Sequence, residues 1–323
     1  MRRREFITLV GGAASAWPFV AAAQQSPAPK HIGLIANLPL PPVQRFRQRL
    51  QQLGYVEGKN LIIEYRYGEG RDDRFNSFAA ELVAMPVEVI VVWGTPAAFA
   101  AKQATNRIPI LIGAVGDVVN TGLISNIARP EGNITGFVAL NVELEEKRLE
   151  LLKEVIPRLS RVAVLVNTEN QLNRVNLETA QRAAQRLEVK IEVVEIKRSE
   201  DVKAGLAQIK DLHPDAVLLA SDTLLLSERK QIAEAMAMTG IPAIYPFREY
   251  ADVGGLFMYG ANISVLFERA ADYLDRLLKG EKPGNLPVQQ ATTFELIVSL
   301  KAAAGLGLTI PPNILIRADE VIE

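Results

Sequence analysis

The sequence has 323 residues, with 36 Lys and Arg against 37 Asp and Glu and a formal net charge of −1. This balance offers no concentrated basic face to a polyanion, which excludes nucleic acid as a partner. With no cysteine the chain has neither disulfides nor a lipid-modified thiol, so stability rests on hydrophobic cores, and the length is enough for two of them.

Arg2, Arg3 and Arg4 precede an apolar stretch from Phe6 to Val20, and Ala21-Ala22-Ala23 supplies small residues for a signal peptidase. Residues 1–23 therefore read as a cleavable export signal. The stretch is shorter than the roughly 20 apolar residues of a spanning helix, and Pro18 interrupts it, so it is no anchor. The order Arg3-Arg4-Glu5-Phe6-Ile7 also resembles the twin-arginine signal, which leaves both that route and the general secretory route open. Cleavage removes three Arg and one Glu and takes the net charge to −3. The mature chain is expected to be soluble and periplasmic.

Beyond the signal, short β-branched runs alternate with helical patterns. Strands are predicted at "HIGLIANL", "LIIEYRY", "VEVIVVWG", "IPILIGAV" and "NITGFVA", then at "RVAVLVN", "KIEVVEI", "DAVLLAS", "IPAIYPF" and "GLFMYG". Between them Phe46, Leu50 and Leu53 share one helical face, as do Phe75, Phe78, Ala79, Leu82 and Val83, and the spacing returns at Val202, Leu206, Ile209 and Leu212. Strands separated by helical patterns of this length imply right-handed βαβ units and parallel sheets. The strand–helix order of the first half recurs in the second, so the expected fold is α/β, with two Rossmann-like lobes. A helix over about Ser264–Lys279 is expected to return to the first lobe and the "LPVQQATTFELIVSLKAAAGLGL" tail to cross back to the second. The lobes are then 31–139 plus 259–286 and 140–258 plus 287–323, joined by three hinge crossovers near residues 139, 259 and 287.

In open α/β sheets a ligand sits outside the carboxyl ends of the strands. The loops there are "ANLPLPPVQ", "WGTPAA" and "AVGDVVNTG" in one lobe and "VNTENQLN", "ASDTLLLS" and "YPFREY" in the other. Thr95 is placed to cap a helix with Pro96 in its first turn, leaving backbone N–H groups free for an anion. Asp222 and Asp117 suit either an ammonium group or the capping of their own turns. Asn37, Asn167 and Asn170 suit polar ligand groups or turns. Trp93, Tyr245, Phe247 and Tyr259 fall at strand ends, as stacking partners or as core plugs. The expected ligand-binding set is Asn37, Trp93, Thr95, Asp117, Asn167, Asp222, Tyr245 and Tyr259.

A catalytic reading has little to stand on. The two histidines, His31 and His213, lie at amino ends of strands, away from such a cleft. The chain has no G-x-S-x-G elbow, no H-E-x-x-H pair and no G-x-G-x-x-G turn. Asp72-Asp73 and Glu145-Glu146 stand in charged helical stretches and read as solvated faces. No catalytic residue, metal or cofactor is expected.

"LGYVEGKNLIIEYRYGEGRDDRF", "ELVAMPVEVIVVWGTPAAFAAKQAT", "IARPEGNITGF", "EKRLELLKEVIPRLSRVAVLVN", "IPAIYPFREYADVGGLFMYG" and the stretch from "LLKGEKPGNLPVQQ" to the carboxyl end together resemble the ABC transporter substrate-binding proteins of the family that includes tryptophan- and tyrosine-type binding proteins. The resemblance implies a type I periplasmic-binding-protein fold and a monomer that captures a small organic solute, with amino acids and aromatic compounds the suggested classes. It also implies delivery to an ABC permease in the inner membrane. An exported α/β hydrolase and a ligand-sensing receptor for a membrane kinase are the alternatives, the first separated by turnover and the second by its partner.

Overall fold

The computed structural model describes residues 28–130, 132–139 and 141–323, with the side chains of Asn141 and Glu143 left aside. The expected export signal lies outside these residues. The chain begins with β1 (Lys30–Ala36), α1 (Pro41–Gln52), β2 (Leu61–Tyr67), α2 (Phe75–Ala84), β3 (Val89–Trp93), α3 (Thr95–Ala104), β4 (Ile110–Val115) and β5 (Ile134–Val138). It continues through α4 (Asn141–Val155), β6 (Arg161–Asn167), α5 (Gln171–Arg186), β7 (Lys190–Ile196), α6 (Val202–Leu212), β8 (Ala216–Leu219), α7 (Thr223–Ser227), α8 (Arg229–Thr239), β9 (Ala243–Tyr245) and β10 (Phe257–Ala261). It ends with α9 (Ile263–Leu278), β11 (Gln289–Gln290), β12 (Phe294–Ser299), α10 (Leu300–Gly305), α11 (Pro312–Arg317) and β13 (Glu320–Ile322).

These strands form two sheets, in the orders β11-β5-β4-β3-β1-β2 and β13-β12-β10-β9-β8-β6-β7. Pairing is parallel throughout except between β10 and β12. Central strands such as β3, β4 and β5 are buried at every residue, the condition of a parallel strand covered by helices on both faces. The architecture is therefore two α/β lobes, each built on its own sheet.

Helix α9 covers the first sheet although it follows β10 of the second. Its apolar stripe buries Ile263, Leu266, Phe267, Ala270, Ala271, Tyr273, Leu274, Leu277 and Leu278. The Phe267 ring meets Trp93 edge-on at 5.3 Å and Phe46 of α1 at 6.1 Å. At roughly 1.5–3 kcal/mol for each large apolar side chain removed from water, this stripe suffices to fasten a late segment to an early lobe.

The chain passes from the first sheet to the second after β5, back after β10, and forward again after β11. Tyr259 is inside β10, which antiparallel pairing with β12 prolongs to Ala261, and Gln289 and Gln290 still pair with Phe137 and Val138 of the first sheet. The second and third passages thus fall a few residues later than the sequence pattern placed them. The tail also carries two strands that the pattern did not resolve, β12 and β13, at one margin of the second sheet.

One buried ion pair lies beside these passages. Glu145 and Arg148 of α4 are 1 % and 0 % exposed, Arg148 Nη1 is 2.7 Å from Glu145 Oε1, and Arg148 Nε donates to the Tyr259 carbonyl at 2.8 Å. The ion-pair contact is off the hydrogen-bond direction, so both Glu145 oxygens and both Arg148 terminal nitrogens lack an aligned partner. Burial raises the Glu145 carboxyl above its ordinary range. The solvated face expected for Glu145-Glu146 holds only for Glu146, which meets Arg186 at the surface.

Candidate ligand-binding site

The carboxyl ends of the two sheets face each other, and the loops after β1, β3 and β4 in one lobe touch those after β6 and β8 in the other. Asn37, 3 % exposed, donates through Nδ2 to Thr223 Oγ1 of the opposite lobe at 3.0 Å and to Asp72 Oδ1 at 3.0 Å. Its Oδ1 accepts from the Gly70 N–H at 3.2 Å. Ser199 Oγ crosses between lobes to the Gly70 carbonyl at 2.9 Å, and Asn167 Nδ2 reaches Asp72 Oδ2 at 3.5 Å. The lobes are closed on each other.

Glycine makes this approach possible. A Cβ at Gly116 would stand 2.2 Å from Leu172 Cδ2, and one at Gly94 2.9 Å from Thr223 Oγ1, both contacts crossing the cleft. Gly94 also caps α3 with φ +97°, a conformation natural to glycine. Thr95 is therefore the first residue of α3 rather than its cap, and its Oγ1 accepts the Gly116 N–H at 3.4 Å.

Asp222 combines the two roles its position suggested. As the cap of α7, its Oδ1 accepts from Leu224 N at 2.7 Å and Leu225 N at 3.1 Å. Oδ2 takes the amides of Asn167, Asn170 and Asn173 at 3.2, 2.7 and 3.0 Å. All three asparagines and Asp222 are at most 3 % exposed. The cleft is thus floored by a buried carboxylate held by neutral donors, with no Lys, Arg or His among the residues lining the cavity beside it.

That cavity is small. Trp93, Thr95, Gly116, Leu172, Ser221, Asp222 and Phe247 line it, and its volume is about 20 Å³, room for about one water molecule. Ser221 is 2 % exposed, and its N–H and hydroxyl lie against the buried Glu145 carboxyl. On the outer side of the same loops a larger groove of about 480 Å³ spans the lobes, lined by Asp72, Phe75, Pro96, Phe99, Gln171, Arg198 and Leu224 among others. Neighbouring residues of one loop line the two spaces: Thr95 and Pro96, Leu172 and Gln171, Thr223 and Leu224.

Of the residues singled out in the sequence, Asn37, Trp93, Thr95, Asn167, Asn170, Asp222 and Phe247 come together here. Asp117 does not join them. Its carboxylate accepts from Val119 N at 3.1 Å and Asn120 N at 2.9 Å and so closes its own turn. Tyr245 is stacked on Tyr250 at 4.3 Å in the core of the second lobe. Tyr259 lies within β10, where its carbonyl receives Arg148.

Asp72 was missed. The sequence pattern sets it with Asp73 on a solvated face, yet the one-turn 3-10 helix Asp72–Arg74 turns the first carboxylate inward and leaves the second outside with Arg71. Asp72 is half-buried as a residue, but its tip is enclosed by Asn37 and Asn167. Burial, then the charge of Asp222, push its carboxyl up to about 7. Burial raises Asp222 as well, but five N–H donors oppose the shift there, so a proton shared by the pair rests on Asp72.

Opening the cleft relieves this repulsion without unfolding. A carboxyl raised in the closed form makes closure take up a proton, so its support for closure is complete below about pH 4 and is lost as pH rises through about 7. The empty protein is expected to open between about pH 5 and pH 8, seen as a rising radius of gyration in X-ray scattering, and Asp72→Asn is expected to flatten that profile. An unchanged profile in the variant would place the titration elsewhere.

The profile of the family described as ABC transporter substrate binding protein matches residues 41–322. A tyrosine-binding protein of Clostridioides difficile is 25 % identical over 277 residues, 84 % of this chain and 79 % of that protein. The structure of an ABC domain from Streptococcus pneumonia in complex with L-Trp superposes with a TM-score of 0.84 at 22 % identity, covering 91 % of this chain and all of that one (100 %). The ligand-free, open structure of a substrate binding protein with adhesive properties from Clostridium difficile gives a TM-score of 0.61 at 25 % identity, over 91 % of this chain and 99 % of that one.

Proposed function

The chain belongs to the ABC transporter substrate binding protein family, and from that premise we propose that it is the extracytoplasmic receptor of an ABC-type importer. It captures a small organic solute, an amino acid or an aromatic compound, between its two lobes and presents the closed form to an inner-membrane permease. The observation that carries this reading is the cross-lobe polar cluster of Asn37, Asp72, Asn167, Asp222 and Thr223, placed where two α/β sheets turn their carboxyl ends to each other. A solute touching both halves of such a cluster stabilises the closed arrangement by its differential affinity for it. The better superposition on the L-Trp complex than on the open, ligand-free protein agrees with a chain whose lobes are together.

The described residues contain no helix long and apolar enough to cross a membrane, which fits a receptor that meets its permease from outside the bilayer. The binding set proposed is Asn37, Trp93, Thr95, Asn167 and Asp222, joined by Asn170, Ser221 and Thr223. Micromolar capture corresponds to about 8 kcal/mol, within reach of several buried hydrogen bonds and one charged contact. A thermal-shift screen of the purified chain against amino acids, aromatic acids, sugars and polyols tests the proposal. At least one amino acid or aromatic solute is expected to raise the melting temperature, and Asp222→Ala is expected to weaken it by about 2–5 kcal/mol. A solute that is chemically converted during the assay, or a full panel without a shift, would overturn the reading.

A further inference from the structure

We propose that Glu145 and Arg148 are positioning residues for solute capture, fixing the loop that carries Asp222 relative to the strand by which the chain leaves the second lobe. The proposal rests on the solute-receptor reading and adds to it the groups that set how readily the lobes meet.

Neither side chain lines the cavity or the groove of the cleft. Both belong to α4, which packs on β8 and β10, and both are enclosed within the second lobe at 1 % and 0 % exposure. Their partners are two separate main-chain segments. Glu145 lies against the N–H and hydroxyl of Ser221, the residue before Asp222. Arg148 Nε donates at 2.8 Å to the carbonyl of Tyr259, three residues before Asn262 caps α9. The parallel partner β9 stops at Tyr245, opposite Met258, so the Tyr259 carbonyl lies just past that ladder. A Cβ at Gly260 would stand 1.9 Å from the Pro246 carbonyl oxygen, which leaves the end of β10 little slack.

From Ser221 the connection continues across the cleft. Asp222 caps α7, and Thr223 accepts from Asn37 Nδ2 at 3.0 Å and fills the space beside Gly94. Only Asp222 separates Ser221 from Thr223, so a shift of Ser221 is carried to both cross-lobe contacts. An ion pair inside a lobe adds little stability over an apolar pair of the same size. What it supplies here is direction: carboxylate and guanidinium are drawn together on one turn of α4, and each holds a different segment in place. Without them α4 could still cover its sheet, but the two halves of the cross-lobe cluster would meet out of register. Fewer molecules would then be closed at any moment, and apparent solute affinity falls in proportion to that fraction.

The chain has no cysteine, so nitroxide labels at Gln103→Cys and Glu169→Cys, on opposite walls of the groove, report lobe separation by pulsed electron resonance. The full purified chain is measured without solute from pH 5 to pH 8. Relative to the labelled chain with the pair intact, the Glu145→Leu, Arg148→Leu double variant is expected to lower the ratio of short to long distances about tenfold. Its denaturant unfolding should stay near that of the intact pair. Ser221→Ala, which removes a hydroxyl without stranding a charge, is expected to lower the same ratio about threefold. A merely structural pair would give recovered stability with unchanged distances, so unchanged distances in both variants overturn the proposal. If the double variant fails to fold, unchanged distances in Ser221→Ala alone overturn it. No solute enters the measurement, and the thermal-shift screen decides the receptor reading separately.

Discussion

Gly116→Trp is expected to abolish solute capture while leaving the protein folded. Position 116 faces Leu172 across the cleft, and even the first side-chain carbon would lie 2.2 Å from Leu172 Cδ2 and 2.7 Å from its Cγ. Leu172 is 2 % exposed and packed with Val142 and Val175, so it has little freedom to retreat from an indole. Gly116 is not among the positive-φ residues, and a side chain there does not strain the backbone. The obstruction therefore acts on closure. Overpacking of this kind costs about 1–3 kcal/mol when neighbours can shift, and a rigid bicyclic ring between two lobes falls at or above the upper figure. Solute affinity should drop on the order of 100-fold, with an unchanged circular dichroism spectrum and an enlarged radius of gyration at every pH. Gly116→Ala should do less, because a methyl group needs a far smaller parting of the lobes from Leu172 than an indole does. Full affinity in the Trp variant would mean that the solute is not held between the lobes.

Arg148→Leu is the substitution expected to damage the fold most. It leaves Glu145 buried with no counter-charge and the Tyr259 carbonyl without its 2.8 Å donor. Removing one partner of a buried ion pair costs about 3–5 kcal/mol, whereas replacing both with apolar groups is often neutral. The Arg148→Leu, Glu145→Leu double variant should recover most of the loss in denaturant unfolding. A double variant as unstable as the single one would shift the explanation from charge to packing. The pH response offers a second check. Burial raises Glu145, so the single variant should regain stability in acid, where the orphaned carboxyl is neutral.

Much of the fold was legible because buried parallel strands are uninterrupted apolar runs. "RVAVLVN" coincides with the buried β6 from end to end, and "KIEVVEI" with β7, an edge strand legible instead from its β-branched residues alternating with charge. The tail was harder: β13 has only three residues, and β12 runs antiparallel in a chain that otherwise repeats one parallel pattern. At the site, loops after strands could be named in advance, but the direction of a side chain could not. Asp72 and Asp73 are identical neighbours, and only the 3-10 turn decides which is enclosed. Tyr245 ends a strand of the second sheet, yet its ring packs on Tyr250 inside that lobe. For Glu145 a signal did exist. It shares a helical face with Arg148, Leu149 and Leu152, all buried, and a carboxylate on an apolar stripe three residues before an arginine marks an internal pair.

The three connections between the sheets are neighbours. Gln290 pairs with Val138, and Ala261 pairs with Phe294, which gathers every strand entering or leaving a lobe at one margin of the molecule. Three tethers spread around the perimeter would fix both halves rigidly, and one alone would let them swivel in any direction. Bundled side by side, they behave as one flexure: sliding and twisting are stiff, and a single rocking coordinate stays soft. A displacement of a fraction of an ångström near Tyr259 is then magnified along the length of each half into several ångströms at the far lip.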